Sequence, residues 1–323
     1  MALFSDNKPA YDVQLLIENQ APIVIDDITW ETVRKGAPSV LSFTVVKDSG
    51  LSFSEGNKVQ LKVNGEPVFM GFIFTKQRDK QHHIKCIAYD QLRYFKNKDT
   101  YVYTNKSASD LLSMMAADFG LSLGSIANTG YKIPMRDEDG QTLFDIVLNA
   151  LDLTQDATGQ VFVLYDDFGK ITLKNINDMR LNILVDESTA ENFDYESSID
   201  KDTFNKVRIA QDNSEMGSRD MFEAQGDVSA WGYLQYYMKV QEGVNAESLA
   251  NTILKAKNRK TRALRIKGAY GNTRVRAGCS LPVSLNLGDQ VLQNEWLMAE
   301  RVTHHFTADK HSMDIDFYNL KGD

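Results

Sequence analysis

Cysteine is nearly missing from this chain: Cys86 and Cys279 are the only two among 323 residues. They stand far apart, and neither belongs to a Cys-x-x-Cys or other metal-ligand pattern. That excludes a disulfide framework and reads as two small core residues in a reducing compartment. No apolar run approaches membrane-spanning length, so no inserted helix is expected. The start, Met1 to Lys8, lacks the charged and apolar regions of a secretory leader. Base does not dominate either. With 44 carboxylates against 36 Lys and Arg the formal charge is −8, and the global basic footprint of a stable nucleic-acid binder is absent. Nucleophile and phosphate signatures are also lacking: there is no Gly-x-Ser-x-Gly elbow and no P-loop.

What is present is ordinary globular material. Apolar residues make up 42% and charged residues 25%, enough for a sizeable core in two or three domains. Aromatics are plentiful (16 Phe, 13 Tyr, 3 Trp), as suits sheets and buried interfaces. Residues 11–95 alternate in the strand manner: Val13, Leu15, Ile17; Leu41, Phe43, Val45; Val59, Leu61, Val63; Ile84, Cys86, Ala88. Asn64-Gly65 is a strong hairpin signal, with a return strand over Val68 to Phe74. Five or so such strands predict a small barrel or sandwich.

The pattern changes near residue 105. Ser107 with Asp110, and Thr142 with Asp145, are N-cap signatures. Each precedes an apolar helical stripe: Leu111, Leu112, Met115 and Phe119, then Leu143, Ile146, Val147, Ala150 and Leu151. Residues 161–173 read as strand, turn and strand, so residues 101–185 form a small α+β unit. Residues 186–202 carry Asp186, Glu187, Glu191, Asp194, Glu196, Asp200 and Asp202 against Lys201 alone, and read as a solvated connector. Strands return at 207–210, 221–224 and 234–240. A third helix runs from Asn245 to about Arg259, and four more strands follow at 262–270, 281–287, 295–306 and 311–318.

Between Glu247 and Asp289 there is no carboxylate, yet residues 248–288 hold nine cations: Lys255, Lys257, Arg259, Lys260, Arg262, Arg265, Lys267, Arg274 and Arg276. Three readings stand: a solvated face, a polyanion groove, or an interface with an acidic patch such as 186–202 of the same or a neighbouring protomer. Tyr270 is the only aromatic in the stretch, which disfavours the nucleic-acid groove and favours the interface.

The two strand-rich regions echo each other. Gly56-Asn57-Lys58-Val59-Gln60-Leu61 matches Gly278-Cys279-Ser280-Leu281-Pro282-Val283 as Gly-x-x-h-x-h, where h is apolar. Phe69 and Trp296 follow. Then come His82-x-Ile84-x-Cys86-x-Ala88 and His311-x-Met313-x-Ile315-x-Phe317. One β unit used twice in a chain lets three chains build a ring of near-sixfold symmetry.

The remaining chemistry is sparse. His304, His305 and His311 suggest a metal, but strand neighbours point to opposite faces and no carboxylate or cysteine set accompanies them. They read as sheet histidines, half buried or at a subunit contact. Asp166-Asp167 fits a hairpin turn better than a glycosidase pair. We assign no catalytic, cofactor-binding or metal residue.

Three blocks carry a family resemblance. Gly56-Asn57-Lys58-Val59 with Asn64 to Gly71, then Tyr89-Asp90-Gln91-Leu92-Arg93-Tyr94 running on to Tyr101, resemble the baseplate hub protein of PBSX-type phage-like elements. Arg276-x-Gly278 and Glu300-Arg301-Val302-Thr303-His304-His305-Phe306, with His311-Ser312-Met313, resemble the late control protein D family of contractile tails. The turn Ala277-Gly278-Cys279-Ser280 departs from it, being less polar than the family pattern.

The resemblance spans nearly the whole chain. It implies a β-rich α+β fold with two tube-like β-barrels, at 1–100 and 196–323. A small α+β domain at 101–195 would lie between them, with a helical insertion at about 243–261. It also implies a structural baseplate hub: a homotrimer forming a pseudo-hexameric ring between the inner tube protein and the central spike. A LysM-bearing baseplate protein and the tape measure protein would be its neighbours. Such a chain is made in the bacterial cytoplasm and built into a phage tail, a defective prophage or a bacteriocin. The alternatives are a tail-associated module binding cell-wall glycan or a receptor, and a wall hydrolase. No cofactor, no stable nucleic-acid binding and no membrane insertion are expected.

Overall fold

The computed structural model describes residues 12–213, 217–307, 309–318 and 320. The leader reading at Met1 to Lys8 lies outside them. The chain divides into two compact units. The first comprises residues up to Phe193 and again from Arg265 to Phe317, and the second comprises Asp194–Leu264 with the chain end from Tyr318.

The first unit begins with β1 (Val13–Ile17), β2 (Val24–Val33), β3 (Val40–Val46), β4 (Lys58–Val63), β5 (Glu66–Arg78) and β6 (His83–Tyr89). Alternation decides which faces are buried: Leu41, Phe43 and Val45 of β3 are sealed, while Ser42 and Thr44 are not. Inward residues from all six strands form one core around Trp30, Phe43, Leu61 and Ile84. Asn64 and Gly65 adopt φ 53° and 81°, the left-handed pair that a two-residue hairpin needs, and they join β4 to β5.

Next come β7 (Lys98–Lys106), α1 (Ala108–Asp118), β8 (Leu123–Ile126), β9 (Ile133–Thr142), α2 (Leu143–Thr158), β10 (Phe162–Asp166) and β11 (Ile171–Asn175). Both helix starts follow their sequence signals. Ser107 and Asp110 make a reciprocal capping box, and Thr142 Oγ1 accepts from Asp145 N. Gly159 ends α2 at φ 72°. The two helical stripes meet in one core with Phe95, Phe162, Leu164, Ile171 and Leu173.

The later elements are β12 (Val185–Asp186), β13 (Asn192–Ser198), β14 (Lys206–Asn213), β15 (Ser218–Gln225), β16 (Gln235–Val240), α3 (Ala246–Lys257), β17 (Thr261–Tyr270), β18 (Ser280–Asn286), β19 (Val291–Phe306) and β20 (His311–Tyr318). The acidic stretch is therefore not only a connector, because its middle is strand β13. In the second unit, β15-β14-β16 forms a three-stranded sheet. The helix α3 covers its apolar face, with Ala246 and Ala250 set against Val207 and Ile209.

The strand order holds the central result. One half runs β1-β4-β5-β6-β3-β2, and the other runs β12-β18-β19-β20-β17-β13, the same order twice. The repeat extends to detail. Gly56 and Gly278 have φ 88° and 92°. Gly56 N–H donates to Ile73 O, and Ile73 N–H to Asn57 O. Gly278 N–H likewise donates to Ala299 O, and Ala299 N–H to Cys279 O. A bulge follows at the same place in each copy, at Phe74 between Ile73 and Thr75, and at Glu300 between Ala299 and Arg301. The register corrects one match. Gln60 faces Met70 and Pro282 faces Trp296, so Met70, not Phe69, occupies the place of Trp296. The copies also differ: β1 pairs antiparallel with β4, whereas β12 is short and pairs parallel with β18. The described pairings close neither copy into a barrel.

Candidate functional site

The two copies join through one strand pair. β2 lies antiparallel to β19, with Val33 opposite Arg301, Glu31 opposite Thr303, Trp30 opposite His304 and Ile28 opposite Phe306. The histidines His304 and His305 and the block Glu300 to Phe306 that the sequence singled out lie on this joint.

On the inner face, His304 is fully buried and stacks on Trp30 with ring centroids 4.8 Å apart. Its Nε2 lies 2.8 Å from Val275 O. A carbonyl only accepts, so Nε2 carries the proton and Nδ1 is left to accept from His311 Nε2 at 2.9 Å. Burial drives both rings toward the neutral form. The pKa falls to about 3 for His304 and about 4 for His311. His305, one residue on, points the other way and meets Asp314 at 3.6 Å. The alternation argument thus separates His304 from His305, as expected. What it missed is that His311, on the next strand, faces His304. Among the described residues, no group of three or more His, Cys, Asp or Glu is placed to hold a metal.

The opposite face carries a ladder of charge across four strands. Arg301 reaches Glu31 at 2.9 Å and Asp316 at 3.8 Å, and Arg265 reaches Asp316 at 3.4 Å and Asp314 at 3.6 Å. The acid-free stretch therefore has acids in space. Asp314 and Asp316 of β20 serve Arg265, and in the second unit Asp202 serves Lys257. Arg34 Nε holds the bulged Glu300 at 2.7 Å.

Beside the joint lies a buried polar node. Asp90 caps the helical turn Gln91–Lys96: its Oδ1 accepts from Leu92 N at 3.0 Å, and its Oδ2 from Ser39 N at 2.9 Å and Ser39 Oγ at 2.5 Å. Gln91 Nε2 donates to Asp166 Oδ2 at 3.3 Å and to Gly169 O, while its Oε1 accepts from Ser122 N at 3.0 Å. Leu92 and Phe95 enter the helical core, and Arg93 lies 5.2 Å from the Phe74 ring. The Tyr-Asp-Gln-Leu-Arg-Tyr block thus locks strands to helices. Arg276 sits 3.9 Å over the Tyr165 ring and donates to Asp166 O at 2.9 Å. Burial, then the nearby Asp166 charge, raises Asp90 to about 7. Asp166 is raised as well, chiefly by burial, against the pull of Gly169 N–H and Arg276. The turn reading is right for Asp167, whose N–H bonds Lys170 O. For Asp166 it omits the contact with Gln91, which comes from far along the chain.

The turn at Ala277 to Ser280 owes its low polarity to burial. Ala277 and Cys279 are each 3% exposed, and Ala277 N–H donates to Thr32 Oγ1 at 2.9 Å. Hydrogen bonds tie Ser39, Asp90, Gln91 and Asp166 in the node and His304 to His311 in the joint, while Trp30 Nε1 and Arg276 Nε are buried without a hydrogen-bond partner.

Solved structures supply the class. The chain matches the 43 kDa tail protein of prophage MuSo2 from Shewanella oneidensis with a TM-score of 0.71 at 11% identity, covering 94% of this chain and 97% of that one. It matches the E. coli c3393 protein with a TM-score of 0.56 at 9% identity, covering 96% and 77%. That protein is described as a component of the type VI secretion system with structural similarity to the T4 bacteriophage tail proteins gp27 and gp5. The fold is that of phage tail proteins. In sequence, the YQBQ-like family matches residues 28–318. The phage-like element PBSX protein XkdQ of Bacillus subtilis (strain 168) is 30% identical over 305 residues, covering 91% of this chain and 92% of that protein. The chain belongs to the YQBQ-like family.

Proposed function

We propose that this protein is a structural hub subunit of a contractile tail or tail-like particle, acting as a homotrimer between a sixfold inner tube and a threefold spike. The observation that carries this reading is the strand order used twice in one chain. Three chains then present six similar β units, which matches a sixfold neighbour on one side and a threefold neighbour on the other. In this reading residues 1–100 and 196–323 supply two tube-like barrels, closed in the ring, with 101–195 between them. The strand Val185–Asp186 already serves the second copy, and the helix at about 243–261 is the insertion.

The similarity of the c3393 protein to gp27 and gp5 supports the hub position. A LysM-bearing baseplate protein and the tape measure protein are the further partners of this reading. The buried node and joint suit a connector that must hold shape and catalyse nothing. Mass measurement in solution tests the proposal, with the chain alone and with its tube and spike proteins added. A trimer, alone or on adding the spike protein, supports it. A strict monomer with both partners present overturns it.

A further inference from the structure

The joint points both copies of the β unit in the same direction. The start of β2 lies beside the end of β19, with Ile28 opposite Phe306. At that end the first copy shows the β1–β2 loop, residues 18–23, and the β5–β6 turn, residues 79–82. The second copy shows the β12–β13 loop, residues 187–191, and the β19–β20 turn, residues 307–310. Matching bonds tie loop and turn to the last residue of β3 or β17 and the residue after it. Val46 N–H donates to Ile23 O, and Lys47 N–H to His82 O. Tyr270 N–H donates to Thr189 O, and Gly271 N–H to His311 O.

The likeness at this loop end is also chemical. Ile23 is 60% exposed in the first copy and Tyr270 70% exposed in the second, on the two sides of the same matching bond. Each turn adds an exposed Asp-Lys pair, Asp79-Lys80 and Asp309-Lys310. The second turn is the longer, and its Lys310 reaches back to Glu191. A lone exposed apolar residue is ordinary. One at the same place in each copy is what a repeated contact requires.

Toward the opposite end the copies differ. In the first copy the β2–β3 connection is held by α2, where Lys35 reaches Asp152 at 2.8 Å. In the second copy the matching connection, between β13 and β17, carries the chain of the second unit. Met70 packs against Gly169 so closely that a Cβ there would overlap its Cε, while its counterpart Trp296 is 42% exposed. A sixfold partner needs six like surfaces, hence two per chain of a trimer. The loop end supplies two, and the opposite end supplies unlike ones.

We propose that the loop end, carrying Ile23 and Tyr270, is the face that meets the sixfold inner tube. This rests on the ring reading and gives the ring its direction, with the threefold spike at the opposite end. The tube surface that fits is an apolar socket rimmed by charges of both signs and repeated six times.

Ile23→Asp and Tyr270→Asp test the face in assembled trimer, with binding to the inner tube and to the spike measured separately. Both side chains are exposed, so trimer formation and the unfolding midpoint should not change. Each variant should weaken tube binding about tenfold or more, and the double variant further, with spike binding unchanged. Trp296→Asp should leave tube binding at the parent value. A second measurement does not depend on affinity. Gln81→Cys and Asp309→Cys should each take a maleimide in the trimer and be shielded once tube is added, since Cys86 and Cys279 are buried. Tube binding at the parent value in both aspartate variants, or equal labelling with and without tube, overturns this face and leaves the hub reading standing. Loss of spike binding in place of tube binding, or an effect confined to one copy, does the same. A chain that stays monomeric with tube and spike proteins present overturns both.

Discussion

Acid titration separates the two buried clusters, because they oppose each other over one pH interval. The histidines are neutral in the fold, with pKa about 3 for His304 and about 4 for His311 against 6.5 when unfolded. Between pH 5 and 6 the unfolded chain therefore binds protons that the fold does not. Stability present above 6.5 is lost as pH falls, by about 1.4 kcal/mol per pH unit for each ring. Asp90 behaves in the opposite sense. Its pKa of about 7 exceeds the unfolded 3.8, so the fold holds a proton that the unfolded chain has released. Its contribution is full below 3.8 and declines as pH rises toward 7, again by about 1.4 kcal/mol per unit.

His304→Phe keeps a ring on Trp30 and removes one titration. The slope of stability against pH should drop by about 1.4 kcal/mol per unit relative to the parent. Asp90→Asn removes the carboxyl, and its slope should steepen by a similar amount. Each variant also carries a constant cost of about 1–3 kcal/mol for donors or acceptors left unmet: Val275 O and His311 in the first, and one of Ser39 N or Leu92 N in the second. That offset does not depend on pH, so the slopes isolate the titrations. Urea unfolding at pH 5.0, 5.5 and 6.0 reads them. Parallel lines for parent and both variants would refute the account of both clusters.

The two equivalent glycines should respond unequally to alanine. Gly56→Ala meets nothing within 4 Å and suffers only its φ of 88°, about 1–2 kcal/mol. Gly278→Ala also drives Cβ to within 2.6 Å of Val163 Cγ1, adding about 1–3 kcal/mol, and denaturant midpoints will show the difference. Gln91→Ala strands Ser122 N and Gly169 O and should lower stability by about 2–4 kcal/mol, measured by thermal unfolding. Gln91→Glu should be worse at pH 8 than at pH 5, since it adds a carboxylate beside Asp166.

Much of the fold was legible because local rules decide local structure. Alternation gave the strands, Asn64-Gly65 the hairpin, and Ser107 and Thr142 the helix starts. The echo beginning at Gly56 and Gly278 was visible because a positive φ and a period-two pattern leave marks in sequence. Its aromatic match slipped by one residue because register is set by hydrogen bonds to the partner strand, Gln60 to Met70 and Pro282 to Trp296. Residues 186–202 looked like a connector because alternation between exposed acids and half-buried Phe193 and Tyr195 is a weak strand signal. The node escaped altogether. Ser39, Asp90, Asp166 and Arg276 share no spacing, and only packing brings them together.

The sequence by itself determined that a β unit occurs twice, that metal and nucleophile motifs are lacking, and that charge is segregated into an acidic run and an acid-free basic one. Tertiary structure decided what those features mean. It placed the acids of β20 beside Arg265, buried His304 against His311, and joined the two copies through β2 and β19. The physical reason is range. Turn and alternation preferences act over a few residues, whereas pairing, burial and charge compensation depend on which distant residues the fold makes neighbours.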